Sequence, residues 1–205
     1  FRRVLFRSQT TTQMKKSKDA IMGIDNIGFF RLLSEDHTKA AQLIPHQTSF
    51  DFDMSRDADS TATKDGSIAV PAGLETELTN EFIDSISYVS DAIATAILNG
   101  EQVEIWMINR RRKNTAGKYF GWYIRGYVTE DSGSNDADDA STREITFNAT
   151  GAPKRGWVTL TKEMEEEIDF GFRGLAAITS DDATGDGTAW TSADTGTGEL
   201  VSKNQ

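Results

Sequence analysis

Cysteine is absent from the 205 residues, and histidine occurs only as His37 and His46. The first absence excludes disulfides, and the two together leave a structural zinc site without ligands. Folding is therefore expected in a reducing compartment, or within a particle that does not rely on cross-links. No stretch approaches the roughly 18 or more apolar residues of a membrane span, and the N-terminus lacks the uninterrupted apolar core of a signal peptide. The expectation is a chain that is neither inserted into a membrane nor secreted, so Asn148-Ala149-Thr150 reads as a chance match to the glycosylation pattern on a strand.

Catalytic signatures are missing too. Gly117-Lys118 has neither the upstream glycine nor the following Ser or Thr of a phosphate loop, and no G-x-S-x-G or H-E-x-x-H occurs. So many carboxylates are present that some close Asp/Glu pair is inevitable, and a pair alone says little about acid catalysis. Asp182 to Gly187 begins like a calcium loop, but Ala193 stands where the bidentate Glu should be, which favours a solvated turn. His37 and His46 fall in loops without further ligands nearby. No enzyme activity, cofactor or metal is expected.

What the chain does have is acid. It carries 22 Lys and Arg against 32 Asp and Glu, a net charge of −10 and a pI near 4.7. Residues 1–18 hold six of the basic groups and no acid, leaving 16 basic against 32 acidic groups, a balance of −16, for the other 187 residues. The segment Phe1 to Ser8 has no periodicity and reads as translated read-through, with a native start expected at Met14 or Met22. The length suits one domain with tails, and a domain near 150 residues typically buries about 68–70% of its unfolded surface.

Two-residue alternation dominates after Ile27, the mark of half-buried strands. Phe50, Phe52 and Met54 alternate with Asp51, Asp53 and Ser55; Leu74, Thr76 and Leu78 alternate with Glu75, Glu77 and Thr79. Between them, residues 57–73 are rich in turn formers, so the whole reads as a long hairpin around a turn-rich stretch. Residues 87–98 form the clearest helix, with Ile86, Val89, Ile93, Ile97 and Leu98 at helical spacing, a serine cap at its start and Asn99-Gly100 as its stop. Residues 103–109 read as a strand apolar on both faces, paired with 119–129 across a basic turn that begins at Arg110-Arg111-Arg112-Lys113. Residues 130–140 read as an acidic loop and 142–147 as the next strand. Residues 157–160 suggest a strand, and Thr161 caps a short helix after it. Trp106, Trp122, Trp157, Phe120, Tyr123 and Tyr127 read as core rather than as a base-stacking platform. From residue 179 onward Thr, Ser, Asp and Gly predominate, as in a flexible or partner-ordered tail.

Several tokens, in order, resemble one family: Phe30-Arg31-Leu32-Leu33-Ser34-Glu35, Ser55-Arg56-Asp57-Ala58-Asp59-Ser60-Thr61, Thr63-Lys64-Asp65-Gly66, Gly73-Leu74-Glu75-Thr76-Glu77, Leu98-Asn99-Gly100, Val103-Glu104-Ile105-Trp106 and Tyr127-Val128-Thr129. Their number, order and spacing over residues 21–172 are similar to the major tail proteins that build the tail tube of phages with long non-contractile tails infecting Gram-positive bacteria.

The resemblance implies a mainly β (α+β) fold, a tail-tube β-sandwich or barrel with one flanking helix and a long extended hairpin. It implies hexameric rings stacked along a tape-measure protein, joined at their ends to tail terminator and distal tail proteins, assembled in the host cytoplasm and resident in the virion tail. Residues 1–20 would be a basic arm, 21–178 the tube domain and 179–205 a tail. The inner hairpin would use residues 48–55 and 67–83, placing Asp51, Asp53, Glu75, Glu77 and Glu81 toward a lumen through which double-stranded DNA passes without specific binding. In a solitary domain the same acids are the solvent face of an antiparallel sheet. Arg56, Asp57, Asp59, Lys64 and Asp65, with Arg110, Arg111 and Arg112, are the expected contacts between rings. Two other readings share the composition: a tube of a phage-derived secretion or bacteriocin particle, and a monomeric β-sandwich that binds carbohydrate or another surface.

Overall fold

The structure, a computed structural model, describes residues 20–168, 170–179, 182 and 184–198. The expected basic arm lies outside these residues apart from Ala20, as do Leu200 and Val201 of the tail. The chain forms two compact units divided between Thr159 and Leu160.

The first unit contains eight strands: β1 (Asn26–Leu32), β2 (Gln42–Leu43), β3 (Gln47–Thr63), β4 (Gly66–Ile83), β5 (Gln102–Lys113), β6 (Tyr119–Ser134), β7 (Thr142–Ala149) and β8 (Lys154–Val158). They form one antiparallel sheet in the order β2-β1-β5-β6-β7-β4-β3, with β8 paired to β6. This is the mainly β architecture expected from the alternating sequence.

The sheet is rolled. Phe30 of β1 and Phe147 of β7 have ring centroids 6.3 Å apart, although three strand spacings, about 14 Å, separate their strands on a flat sheet. Phe52 of β3 meets Trp122 of β6 at 5.2 Å. The two ends are tied together by Gln47, whose Oε1 accepts the Gly28 N–H at 2.8 Å while Nε2 donates to the Gly28 carbonyl at 3.1 Å. A side-chain amide thus stands in for the backbone ladder between β3 and β1, and the sheet curls toward a barrel.

Its inner face holds the core: Phe30, Leu32, Leu78, Phe82, Val103, Ile105, Ile124, Val128, Ile145 and Phe147. Burying each such side chain contributes about 1.5–3 kcal/mol. Gly126 is required where β6 meets β7, because a Cβ there would fall on the Asn148 carbonyl, 2.9 Å from its carbon.

Helix α1 (Tyr88–Asn99) packs on the same core. Ser87 caps it, its Oγ accepting the Ser90 N–H at 3.2 Å, and Gly100 stops it in the left-handed conformation. The buried face is Val89, Ser90, Ala92, Ile93 and Ala96. Ile86 and Leu98, expected on that face, are exposed. Ile86 precedes the cap, outside the helical periodicity, and the small alanines rather than Leu98 let the helix approach the sheet.

Several strands run further than their composition suggests. Residues 57–73, expected as a turn-rich stretch, are strand almost throughout: the hairpin closes only at Lys64-Asp65, where Thr63 pairs with Gly66. A register shift between Arg56 and Ala58 sets Ala72 and Gly73 against Asp57, and Pro71 pairs with Ala58 at its edge, a place where proline's missing N–H costs little. Arg110 to Lys113 end β5 instead of forming a turn, which lies at 114–118. Residues 130–134 complete β6, so the loop is 135–141, and the strand expected at 157–160 is β8, which begins three residues earlier at Lys154 and ends at Val158. Along the arm and at the end of β6 the partner strand supplies the ladder, and pairing overrides weak intrinsic β propensity. Arg110 to Arg112 instead bulge out between Asn109 and Lys113, where Asn109 Oδ1 accepts the N–H groups of Arg111 and Arg112 at 3.1 and 2.9 Å. The expected core aromatics also divide: Trp106, Phe120, Trp122 and Tyr123 are half-buried, while Tyr127 and Trp157 are exposed.

In the second unit, α2 (Lys162–Ile168) begins under Thr161, whose Oγ1 accepts the Met164 N–H at 3.3 Å. The Asp182 carboxylate accepts the N–H groups of Thr184, Gly185 and Asp186 at 2.8, 3.1 and 3.0 Å. Those hydrogen bonds make a closed turn of the segment that begins like a calcium loop.

Candidate functional site

Residues directly opposite on paired strands share a face, and residues two apart along a strand share it too. Ser49 lies opposite Glu81, Asp51 opposite Thr79, Asp53 opposite Glu77 and Ser55 opposite Glu75. The register therefore gathers Asp51, Asp53, Glu75, Glu77 and Glu81 on one face, the side away from Phe52 and Leu78. Strand β7 extends the face by placing Glu144 beside Glu81, and β6 adds Glu130 beside Thr146. Glu130 and Glu144 were not singled out from the sequence. Glu144 alternates with Arg143 and Ile145 in the sequence, whereas Glu130 falls in the segment expected as an acidic loop; only the register of β7 against β4 and β6 reveals the shared face.

None of these seven carboxylates has an ion-pair partner among the described residues. Like charges directly opposite, as in Asp53 with Glu77 and Glu81 with Glu144, destabilise a sheet by roughly 0.2–1 kcal/mol per pair.

Beyond Phe52 the hairpin leaves the body of the unit. From Met54 to Thr63 and from Gly66 to Gly73 every residue is exposed, so this stretch is a two-stranded arm. Arg56, Asp57 and Asp59 lie along it rather than in a loop, with the Arg56 guanidinium donating to the Ala72 carbonyl at 3.0 Å. Lys64 and Asp65 form its tip.

The other expected contacts stand elsewhere. Arg110 and Arg111 face the buried Asp25, at 3.7 and 3.4 Å from its carboxylate. Arg112 lies over the Phe120 ring, 3.9 Å from its centroid. The structure thus places the eight basic and acidic residues in two groups, one on the arm and one at the end of β5.

A second charge cluster escaped notice in the sequence. Glu104, buried on β5, accepts Arg31 through Nε at 2.8 Å and Nη2 at 2.5 Å, and Arg125 at 3.3 Å. Tyr123 also donates to it. Burial, and then this bond, push the Tyr123 hydroxyl above its ordinary range. Two guanidiniums on one buried carboxylate lock β1, β5 and β6 together and leave no free acid for chemistry. The signal was a lone Glu within an otherwise apolar strand.

No protein-family model matches the chain, and no curated protein matches it either. Among solved structures, the SPP1 tail tube superposes with a TM-score of 0.63 at 20% identity, covering 88% of this chain and 96% of that one. The fold is that of tail-tube proteins. The tail of an empty gene transfer agent particle, determined with C6 symmetry, gives 0.52 at 11% identity over 66% of this chain and 98% of that one. The native gene transfer agent virion gives 0.51 at 10% identity over 67% and 99%.

Proposed function

We propose that this chain is a structural subunit of a phage tail tube, assembling into stacked hexameric rings whose lumen carries DNA during ejection. The observation that carries the reading is the unpaired acidic sheet face beside an arm exposed on both sides, on a fold shared with tail-tube proteins. The sixfold symmetry of the gene transfer agent tail supports the ring size. DNA binds proteins chiefly by giving up counterions to Lys and Arg. A wall of Asp51, Asp53, Glu75, Glu77, Glu81, Glu130 and Glu144 offers no such exchange, and duplex DNA passes without sticking.

In this reading residues 21–178 form the tube domain and 179–205 a tail. The arm residues Arg56, Asp57, Asp59, Lys64 and Asp65, with Arg110 to Arg112, lie at contacts between rings. A tape-measure protein occupies the lumen during assembly in the host cytoplasm, and terminator and distal tail proteins close the tube. No catalytic step is involved. Exposed strand edges that would promote aggregation in a monomer are covered by neighbouring subunits.

Negative-stain electron microscopy of concentrated protein tests the assembly, with rings or tubes around a central hole as the expected result. In assembled tails the Glu75→Lys/Glu77→Lys variant should still form tubes but eject DNA more slowly. Uniformly monomeric particles that retain a glycan would favour the surface-binding alternative, and unchanged ejection kinetics would count against the acidic lumen.

A further inference from the structure

Near the start of β6, a groove is lined by Met107, Arg112, Phe120, Trp122 and Arg155, with Trp157 packed edge-on to Phe120 at 5.7 Å. Arg112 stacks over Phe120, and Arg155 lies over Trp122 at 5.4 Å from its centroid. Both arginines are exposed, and neither has an ion-pair partner among the described residues. A guanidinium whose flat face rests on a ring keeps its N–H edge free for a carboxylate. Trp157 is 44% exposed. Arginine and tryptophan are the residues that most often dominate binding energy at protein interfaces.

The distal arm offers the matching chemistry. Asp59 lies opposite Val70 and Thr61 opposite Ile68, so these four residues share one face: a carboxylate beside two large apolar side chains. Val70 and Ile68 are 57% and 58% exposed. An apolar pair on an extended two-stranded arm invites a cover.

We infer that the arm face Asp59-Thr61-Ile68-Val70 docks into the Arg112/Arg155 aromatic groove of a second copy of this chain. Asp59 meets the guanidinium edges, and Ile68 and Val70 cover Phe120 and Trp157. The arm cannot serve its own groove. Phe52 at its base packs on Trp122, and seven residues of strand carry Asp59 about 23 Å farther along the ladder. The contact joins two different patches, and repeated it builds a ring or a tube. The inference rests on the tube reading and specifies which surfaces join.

Two measurements test it. The chain contains no cysteine, so Ile68→Cys and Trp157→Cys variants, separately tagged and mixed, should form a disulfide-linked heterodimer on mild oxidation; Ile68→Cys mixed with Thr95→Cys is the control. In parallel, Arg112→Glu/Arg155→Glu should raise the concentration needed for assembly at least tenfold without changing the melting temperature, and adding Asp59→Lys should lower it again.

Tubes that form with no heterodimer above the control and with full assembly of the double Glu variant would overturn the docking and leave the tube reading standing. A heterodimer from protein that never forms rings would support the docking and sink the tube reading. Absence of both assembly and heterodimer would overturn both. Protection of the Trp157→Cys thiol by a DNA oligonucleotide, without protection by a second copy, would reassign the groove to nucleic acid and overturn the docking.

Discussion

Single residues decide how tightly the sheet closes. Gly126 sits where β6 and β7 approach so closely that a methyl group would strike the backbone of Asn148 and Ala149, and no side-chain rotation can relieve a clash with backbone. Gly126→Ala should destabilise the chain by about 1–3 kcal/mol, as overpacking typically does, read from chemical denaturation; an unchanged midpoint would contradict the geometry. Glu104 illustrates the opposite case, a buried charge made tolerable by two guanidiniums and a tyrosine hydroxyl. Its presence in an apolar run was visible from the sequence, but its partners Arg31 and Arg125 stand far away in the chain and are adjacent only through the β1-β5-β6 register.

At the scale of elements, α1 was legible in nearly all respects: its serine cap, its Gly100 stop and the core positions Val89 and Ile93 follow from helical spacing. Its ends are less legible: Ile86 precedes the Ser87 cap and Leu98, though helical, is exposed. Ile93→Ala should cost about 2–5 kcal/mol of stability, whereas Ile86→Ala should leave it within about 0.5 kcal/mol. Thermal melts of the two variants check the difference; equal losses would mean that the helix lies otherwise on the sheet. The arm shows the limit of reading elements locally. Its small and polar residues signal turns, and only the cross-strand ladder from Ser55 to Gly66 makes them strand.

For the whole molecule, all members of the main hydrophobic cluster fall between Phe30 and Phe147, inside the first compact unit. The described residues from 160 onward add none to it. A chain ending at Thr159 should therefore melt cooperatively and within a few degrees of the full-length chain, by differential scanning calorimetry; a loss of the cooperative transition would show that the second unit is needed to hold the first. The same division bears on assembly, because the acidic face, the arm and the aromatic groove all belong to the first unit. Truncated protein that still forms rings would locate the tube-building surfaces there.

The sequence by itself determined the class and the pattern: strands from two-residue alternation, one helix from its caps and spacing, acids on alternate positions of two strands, and no cysteine for a disulfide or a thiolate-held zinc. These are local properties, set by side-chain direction within a few residues. Tertiary structure alone decided which alternations share a face, that Glu130 and Glu144 join Asp53 and Glu77, that Gln47 ties β3 to β1, and that Arg112 and Arg155 flank one aromatic groove. Each depends on strand register and on the roll of the sheet, and those arise from contacts between residues distant in the chain, which periodicity does not encode.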